Sequence, residues 1–80
     1  MNRDEIIENV VEIMEDVFDL DDVAYRDALN AHDIEEWDSL SNIRFMVAVE
    51  GRFNIRFSNR ELEALQNVGD LVDMVQQKMG

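Results

Sequence analysis

The segment Glu35–Leu40, which reads EEWDSL, joins an acidic stretch to an apolar one. Aspartate is a favoured N-cap, so Asp38 predicts a helix whose first residue is Ser39. A side chain at that position faces solvent, and the free N–H groups of the first turn favour an anion. A phosphate ester on Ser39 would therefore be accessible and electrostatically well placed. The pattern predicts Ser39 as a site of modification and not as the nucleophile of a reaction of the chain's own.

Other kinds of chemistry find no support in the residues. Cysteine is absent, which excludes a disulfide, a thiolate metal site and a cysteine nucleophile. His32 is the only histidine and has no metal or nucleophile partner at a recognisable spacing. A calcium loop counted from Asp19 fails, because Val23, Ala24 and Asn30 stand where an EF-hand needs a ligand, glycine and glutamate. We therefore expect neither an enzyme active site nor a metal site.

The composition is that of a small acidic domain. The chain has 80 residues, of which 19 are acidic and 7 basic, and its formal net charge is −12. This charge argues against nucleic acid and anionic membrane surfaces as partners. No apolar run approaches the roughly 18 residues of a membrane span, and no apolar leader is present, so a cytoplasmic location is expected. We predict one domain over residues 1–80 and a monomer.

The spacing of apolar residues predicts four helices and no sustained strand. The expected order is a helix at Arg3–Phe18, a long ordered loop at Asp19–Trp37, a second helix after Asp38, a short third helix at Ser58–Leu65 and a fourth at Asn67–Met79. Acidity is concentrated in the first half: residues 1–38 hold 14 acidic and 2 basic residues, and residues 39–80 hold 5 of each. Connections as long as this loop are uncommon in compact domains and are often functional.

With the motif Asp38-Ser39-Leu40 at the start of the second of four helices, the sequence resembles the acyl carrier protein family, including its peptidyl and aminoacyl relatives. The resemblance covers nearly the whole chain: length, acidity and element order all match. The family's residue pattern continues through Ile43, Ala48, Glu50, Phe53 and Val68. The resemblance implies an all-α four-helix bundle, with three longer helices, a short third helix and a long loop between helices 1 and 2.

The resemblance also implies a function. Ser39 would receive 4′-phosphopantetheine from coenzyme A through a magnesium-dependent phosphopantetheinyl transferase, and the thiol of that arm would carry acyl groups as thioesters. The chain would be a non-catalytic acyl carrier serving ligases, transacylases or ketosynthases of fatty acid, polyketide or another acyl biosynthesis. Two alternatives remain: an aminoacyl or peptidyl carrier, and a carrier-like interaction scaffold that is not modified.

Two further sets of residues follow from the resemblance. The residues expected to be read by the transferase and by partner enzymes are Trp37, Asp38, Leu40, Ile43 and Arg44. Trp37 has an alternative role as a hydrophobic lid on the loop, and Asp38 a compatible role as N-cap. Acyl chains in this family enter a cleft between the helices, and the candidate lining residues are Met46, Val47, Leu62, Leu65 and Val68. The alternative for this second set is a plain hydrophobic core.

The second helix departs from the family's pattern. Fatty-acid carriers commonly have acidic residues along this helix, which dock on basic patches of partner enzymes. Here Glu50 is the only acid, and the segment from Ser39 to Arg52 has a balance of +1. Because charge complementarity controls encounter rate and partner choice, this departure predicts a dedicated pathway with different partners.

Overall fold

The computed structural model describes residues 1–80 and contains four α-helices and no strand. The helices are α1 (Arg3–Val17), α2 (Ser39–Phe53), α3 (Asn59–Ala64) and α4 (Val68–Met79). The long connection between α1 and α2 contains one short 3₁₀ turn at Ala31–Asp33. The predicted all-α bundle with a short third helix is confirmed. None of its helices has the length and apolar character to cross a membrane.

The helix ends lie where the side chains cap the backbone. The Asn2 side chain accepts from the third N–H of α1, and Ser58 does the same for α3; both form complete capping boxes. Asn67 caps α4 through its side-chain oxygen. The predicted ends extend one residue too far at Phe18, because Phe18 is the C-cap of α1 and the next residue, Asp19, has a φ of 55°. The apolar pattern continues through that cap although the helix does not.

A core of 15 buried apolar residues is shared by α1, α2, α4 and the long loop. The helix α3 contributes none of them, because its apolar side chains are only partly buried against the core. The loop supplies Phe18, Leu29 and Ile34, which explains how a connection of this length remains ordered. Three helices and the loop therefore form the packed part of the bundle, with α3 lying against one side of it.

The loop is fastened to the start of α4 by backbone contacts. The Val68 N–H donates to the Leu29 carbonyl at 2.8 Å, and the Gly69 N–H donates to the Asp27 carbonyl at 2.9 Å. A Cβ at Gly69 would lie 2.7 Å from Cβ of Asp27, closer than real Cβ atoms approach. Glycine is therefore required at this position for the loop to reach the helix.

Side chains strengthen the same crossing. The Arg3 guanidinium of α1 pairs with Asp27 of the loop and with Asp73 of α4, and the Tyr25 hydroxyl donates to the Asp27 carboxylate. The hydrogen bond from Tyr25, followed by that from Arg3, lowers the pKa of Asp27. Burial and the hydrogen bond to Asp27 raise the pKa of Tyr25. These contacts join α1, the loop and α4 at one point.

Candidate functional site

Asp38 fixes the beginning of α2 and thereby the position of Ser39. Its carboxylate accepts from the Ser41 backbone N–H at 2.8 Å, and Asp38 has the extended backbone of an N-cap. The hydrogen bond from the Ser41 backbone, followed by one from the Ser41 side chain, lowers the pKa of Asp38. Ser39 is the first residue of α2, as the sequence predicts. The cap and the predicted modification site are adjacent positions of one helix start.

The surroundings of Ser39 fit a phosphate ester. The side chain is exposed, and the hydrogen bonds of the helix start are made by Asp38 and Ser41 and not by the Ser39 hydroxyl. The helix dipole places partial positive charge at this end of α2, which offsets part of the neighbouring carboxylate's charge. The hydroxyl is thus open to a partner enzyme and stands where a bound phosphate is tolerated.

Trp37 closes the loop against the core just before α2. Its ring stacks on Phe18, with the ring centroids 5.3 Å apart, and meets the Phe45 ring edge to face at 5.4 Å. Its indole N–H donates to the Asn42 side-chain oxygen at 2.9 Å. The side chain is half-buried. These contacts match the role of a lid that holds the end of the loop on the bundle.

The outer face of α2 carries an exposed apolar stripe. Leu40, Ile43 and Val47 are 71%, 61% and 60% exposed, although large apolar side chains usually pack inward. Their spacing of three and four residues places them on one side of the helix. Arg44 is exposed beside them and takes part in no ion pair. The structure therefore places the predicted recognition residues Leu40, Ile43 and Arg44 on one surface next to Ser39.

A cavity of about 300 Å³ opens beside Ser39, between α2, α3 and the start of α4. Four of the five residues predicted to form an acyl cleft line it: Met46, Leu62, Leu65 and Val68. Val47 does not line it and belongs instead to the exposed stripe. Each residue of an α-helix turns by about 100° relative to the one before, so Val47 points outward when Met46 points inward.

The cavity also has polar residues that the sequence reasoning missed. Asn42, Gln66 and Asn67 line it together with seven hydrophobic residues. Asn42 lies three positions after Ser39 on the same side of α2, and that spacing is the signal that was available for it. From the sequence, Asn67 is only the capping first residue of the predicted fourth helix. The side chains of His, Cys, Asp and Glu form no cluster of three or more that is suited to a metal ion.

Comparison with known proteins yields consistent matches. A family model described as a phosphopantetheine attachment site matches residues 8–75. The acyl carrier protein of Thermosynechococcus vestitus is 31% identical over 85 residues, with 99% of this chain and 98% of that protein covered. The acyl carrier protein of Guillardia theta is 32% identical over 80 residues, with 99% and 98% covered.

A solved structure is similar as well. The solution NMR structure of holo acyl carrier protein from Geobacter metallireducens superimposes with a TM-score of 0.87 and 38% sequence identity. The match covers 92% of this chain and 85% of that chain. The likeness thus includes both the sequence and the arrangement of helices.

Proposed function

The chain belongs to the family of phosphopantetheine-binding acyl carrier proteins, and we propose that Ser39 is the residue to which its covalent 4′-phosphopantetheine is attached. The observation that carries this proposal is the position of Ser39: an exposed hydroxyl on the first residue of a helix, next to a capping aspartate and at the mouth of a cavity. Members of this family are carriers and not catalysts.

The attached arm and the residues of the chain have separate roles. The arm supplies a thiol that holds acyl groups as thioesters, and the chain has no cysteine to compete with it. Asp38 keeps the helix start in place, and the Ser39 oxygen carries the phosphoester bond. Met46, Leu62, Leu65 and Val68 offer an apolar lining that an acyl chain can enter. We propose that this lining shelters the cargo between visits to partner enzymes.

The first experiment is modification in cells. Coexpression with a broad-specificity phosphopantetheinyl transferase, followed by intact mass measurement, should give one added arm on the wild-type chain and none on Ser39→Ala. Ser41→Ala is the matched control, because it removes a hydroxyl two residues further along the same helix, and it should still be modified. A wild-type chain that stays bare with several transferases would favour the unmodified scaffold and overturn the proposal.

We propose that the exposed stripe of α2, formed by Leu40, Ile43 and Val47, is the docking surface for enzymes of a dedicated pathway. Contiguous exposed apolar side chains are typical of interaction sites. Since Arg44 lies between Ile43 and Val47 and takes part in no ion pair, the fitting partner has an apolar surface with a neutral or acidic group opposite this arginine. This surface is suited to partners other than those of strongly acidic fatty-acid carriers.

Charge reversal tests this choice of partner. Arg44→Glu should raise the rate at which standard ketosynthases and transacylases with basic docking patches use the loaded carrier. Arg56→Glu, an exposed arginine outside α2, makes the same change of net charge and is the control. If standard enzymes already use the wild-type chain as well as a housekeeping carrier, the proposal of dedicated partners is wrong.

The nature of the cargo has its own test. An alkyl cargo that enters the lining of the cavity should raise the melting temperature above that of the thiol form, because ligands that bind only the folded state stabilise it. A small aminoacyl cargo has little apolar surface to bury there and should give no such rise. Equal melting temperatures of the thiol and octanoyl forms would contradict sequestration, and stabilisation by aminoacyl cargo alone would favour the aminoacyl or peptidyl carrier.

A further inference from the structure

Two asparagine side chains in the cavity have their amide groups oriented by donors. The Trp37 indole N–H donates to Oδ1 of Asn42 at 2.9 Å, and the Asp70 backbone N–H donates to Oδ1 of Asn67 at 2.8 Å. An indole or backbone N–H can only donate, so the oxygen of each amide must face it. The Nδ2 group of each asparagine therefore points the other way. We call Asn42 and Asn67 the amide pair.

The Nδ2 groups of the amide pair have no partner within the chain. Both residues are half-buried, yet no buried polar side-chain atom lacks a hydrogen bond. The two groups must therefore keep accessible surface. Both residues line the cavity together with Ser39, and each contributes an amide donor that is already oriented and has no partner within the chain.

The surroundings determine which acceptor fits these donors. Seven of the twelve residues that line the cavity are hydrophobic, and the Asp38 carboxylate lies at its mouth. An anionic acceptor would be poorly solvated by the apolar walls. A carbonyl oxygen on an otherwise apolar chain carries no charge and satisfies the donors. The fitting ligand is thus a neutral chain that contains carbonyl groups.

We propose that the amide pair is a hydrogen-bonding subsite for a carbonyl oxygen on the group attached at Ser39. This inference rests on the proposed attachment at that residue. Asn42 lies three residues, about 4.5 Å of helical rise, from Ser39. The carbonyl can belong to the amides of the arm or to the thioester of its cargo, and both present the same neutral acceptor.

Side-chain amide resonances in ¹⁵N NMR spectra test the subsite directly. If the arm's amides bind, the Nδ2 protons of Asn42 and Asn67 should move downfield when the apo chain becomes the thiol form. If the thioester binds, they should move only when octanoyl is loaded. The controls are Asn9, whose Nδ2 already donates to the Glu5 carbonyl at 2.7 Å, and Asn54, which caps the far end of α2. Both should stay unchanged.

The outcomes separate the subsite from the attachment. A chain that carries the arm by mass measurement, but whose Asn42 and Asn67 signals move no more than those of the controls in either form, overturns the subsite and leaves the attachment standing. A chain that remains bare overturns both. Movement of only one of the two signals assigns the carbonyl to that asparagine and overturns the proposal that both take part.

Two substitutions remove the donors and keep the structural acceptors. Asn67→Ser leaves a hydroxyl that caps α4, and Asn42→Asp leaves an oxygen for the Trp37 indole. Each should leave the apo chain folded and reduce the rise in melting temperature that the attached group produces. Asn59→Ser, at an exposed position of α3, is the matched control and should retain the full rise. An unreduced rise in both variants would overturn the proposal.

Discussion

Where the loop crosses α4, the chain is fastened by closely spaced contacts: two backbone hydrogen bonds, an arginine between two carboxylates and a glycine against a neighbouring backbone. On the other side of the bundle, α3 buries no residue and borders a cavity of about 300 Å³. The contacts there are an ion pair between Lys78 and Glu61 at 2.9 Å and a cation–π contact, in which the same ammonium group lies 5.9 Å from the Phe57 ring centre.

The difference shows how a chain of this size can be both stable and adaptable. Elements with few buried contacts open at low free energy, while packed ones open only with the whole domain. The fastened side, formed by α1, the loop, α2 and α4, holds the fold together. The open side, formed by α3 and the cavity, is free to adjust around a guest. The predictions below test this difference through the free energy of unfolding.

The largest effect is expected at Trp37, where the two sides meet. Trp37→Ala removes the ring that packs on Phe18 and Phe45, and it should lower the free energy of unfolding by about 3 kcal/mol, since large aromatic truncations in cores cost about this much. Urea denaturation measures the change. Trp37→Phe keeps a ring and loses only the indole hydrogen bond, so its loss should be smaller. Equal losses would show that the hydrogen bond matters more than the ring packing.

The second largest change in the free energy of unfolding is expected at Gly69, on the fastened side. Gly69→Ala places a methyl group against Asp27, and overpacking of this kind should lower the free energy of unfolding by about 1–3 kcal/mol. The same denaturation experiment applies. An unchanged value would show that the loop moves away at no cost and that this side is not rigid.

Acid should weaken the fastened side through Asp27. Its pKa is lowered in the folded chain, so its contribution is present above the ordinary value near 4 and is lost as the pH falls through the lowered value. Asp27→Asn should therefore be less stable than wild type at neutral pH, and the difference should shrink as the pH falls below about 4. Tyr25 and Arg3 are the groups that face this carboxylate, and Asp73 pairs with the same arginine. A difference that persists in acid would mean that its charge contributes nothing.

The smallest change in the free energy of unfolding is expected at Gly51. Gly51 lies on the exposed surface of α2, and a Cβ there would meet nothing within 4 Å. Gly51→Ala should therefore raise the free energy of unfolding by about 0.5–1 kcal/mol, the usual cost of glycine inside a helix. It is also the matched control for Gly69→Ala, since the same substitution has the opposite expected sign. Destabilisation by both would mean that the contact with Asp27 is not the cause of the effect at Gly69.

The features that sequence reasoning recovers are local. The helix starts at Asn2, Asp38 and Ser58 depend on side chains within three or four residues. A single sequence therefore contains enough information to locate them without knowledge of the fold. The position of Ser39 follows from the same local signal. The outward turn of Val47 was missed, because apolar type alone does not reveal which helix face is covered.

The features that sequence reasoning does not recover connect distant parts of the chain. Gly69 is separated from Asp27 by 42 residues, and Arg3 from Asp73 by 70, so no local spacing links them. The orientation of the amide pair depends on donors from the loop and from the helix backbone. The Glu15 carboxylate likewise accepts from the Val23 backbone N–H at 3.1 Å, although the two residues are eight positions apart. Such contacts arise only when tertiary packing brings the groups together.

The location of Ser39 at the tip of α2 has a consequence for how easily the chain is altered. The first N–H groups of any α-helix have no hydrogen-bond acceptor one turn earlier. A bulky substituent at this residue therefore interrupts no backbone hydrogen bond of the helix. The hydroxyl can be esterified and released again without unwinding a turn. With the proposed attachment at this hydroxyl, repeated loading and stripping of the arm should therefore leave the fold unchanged.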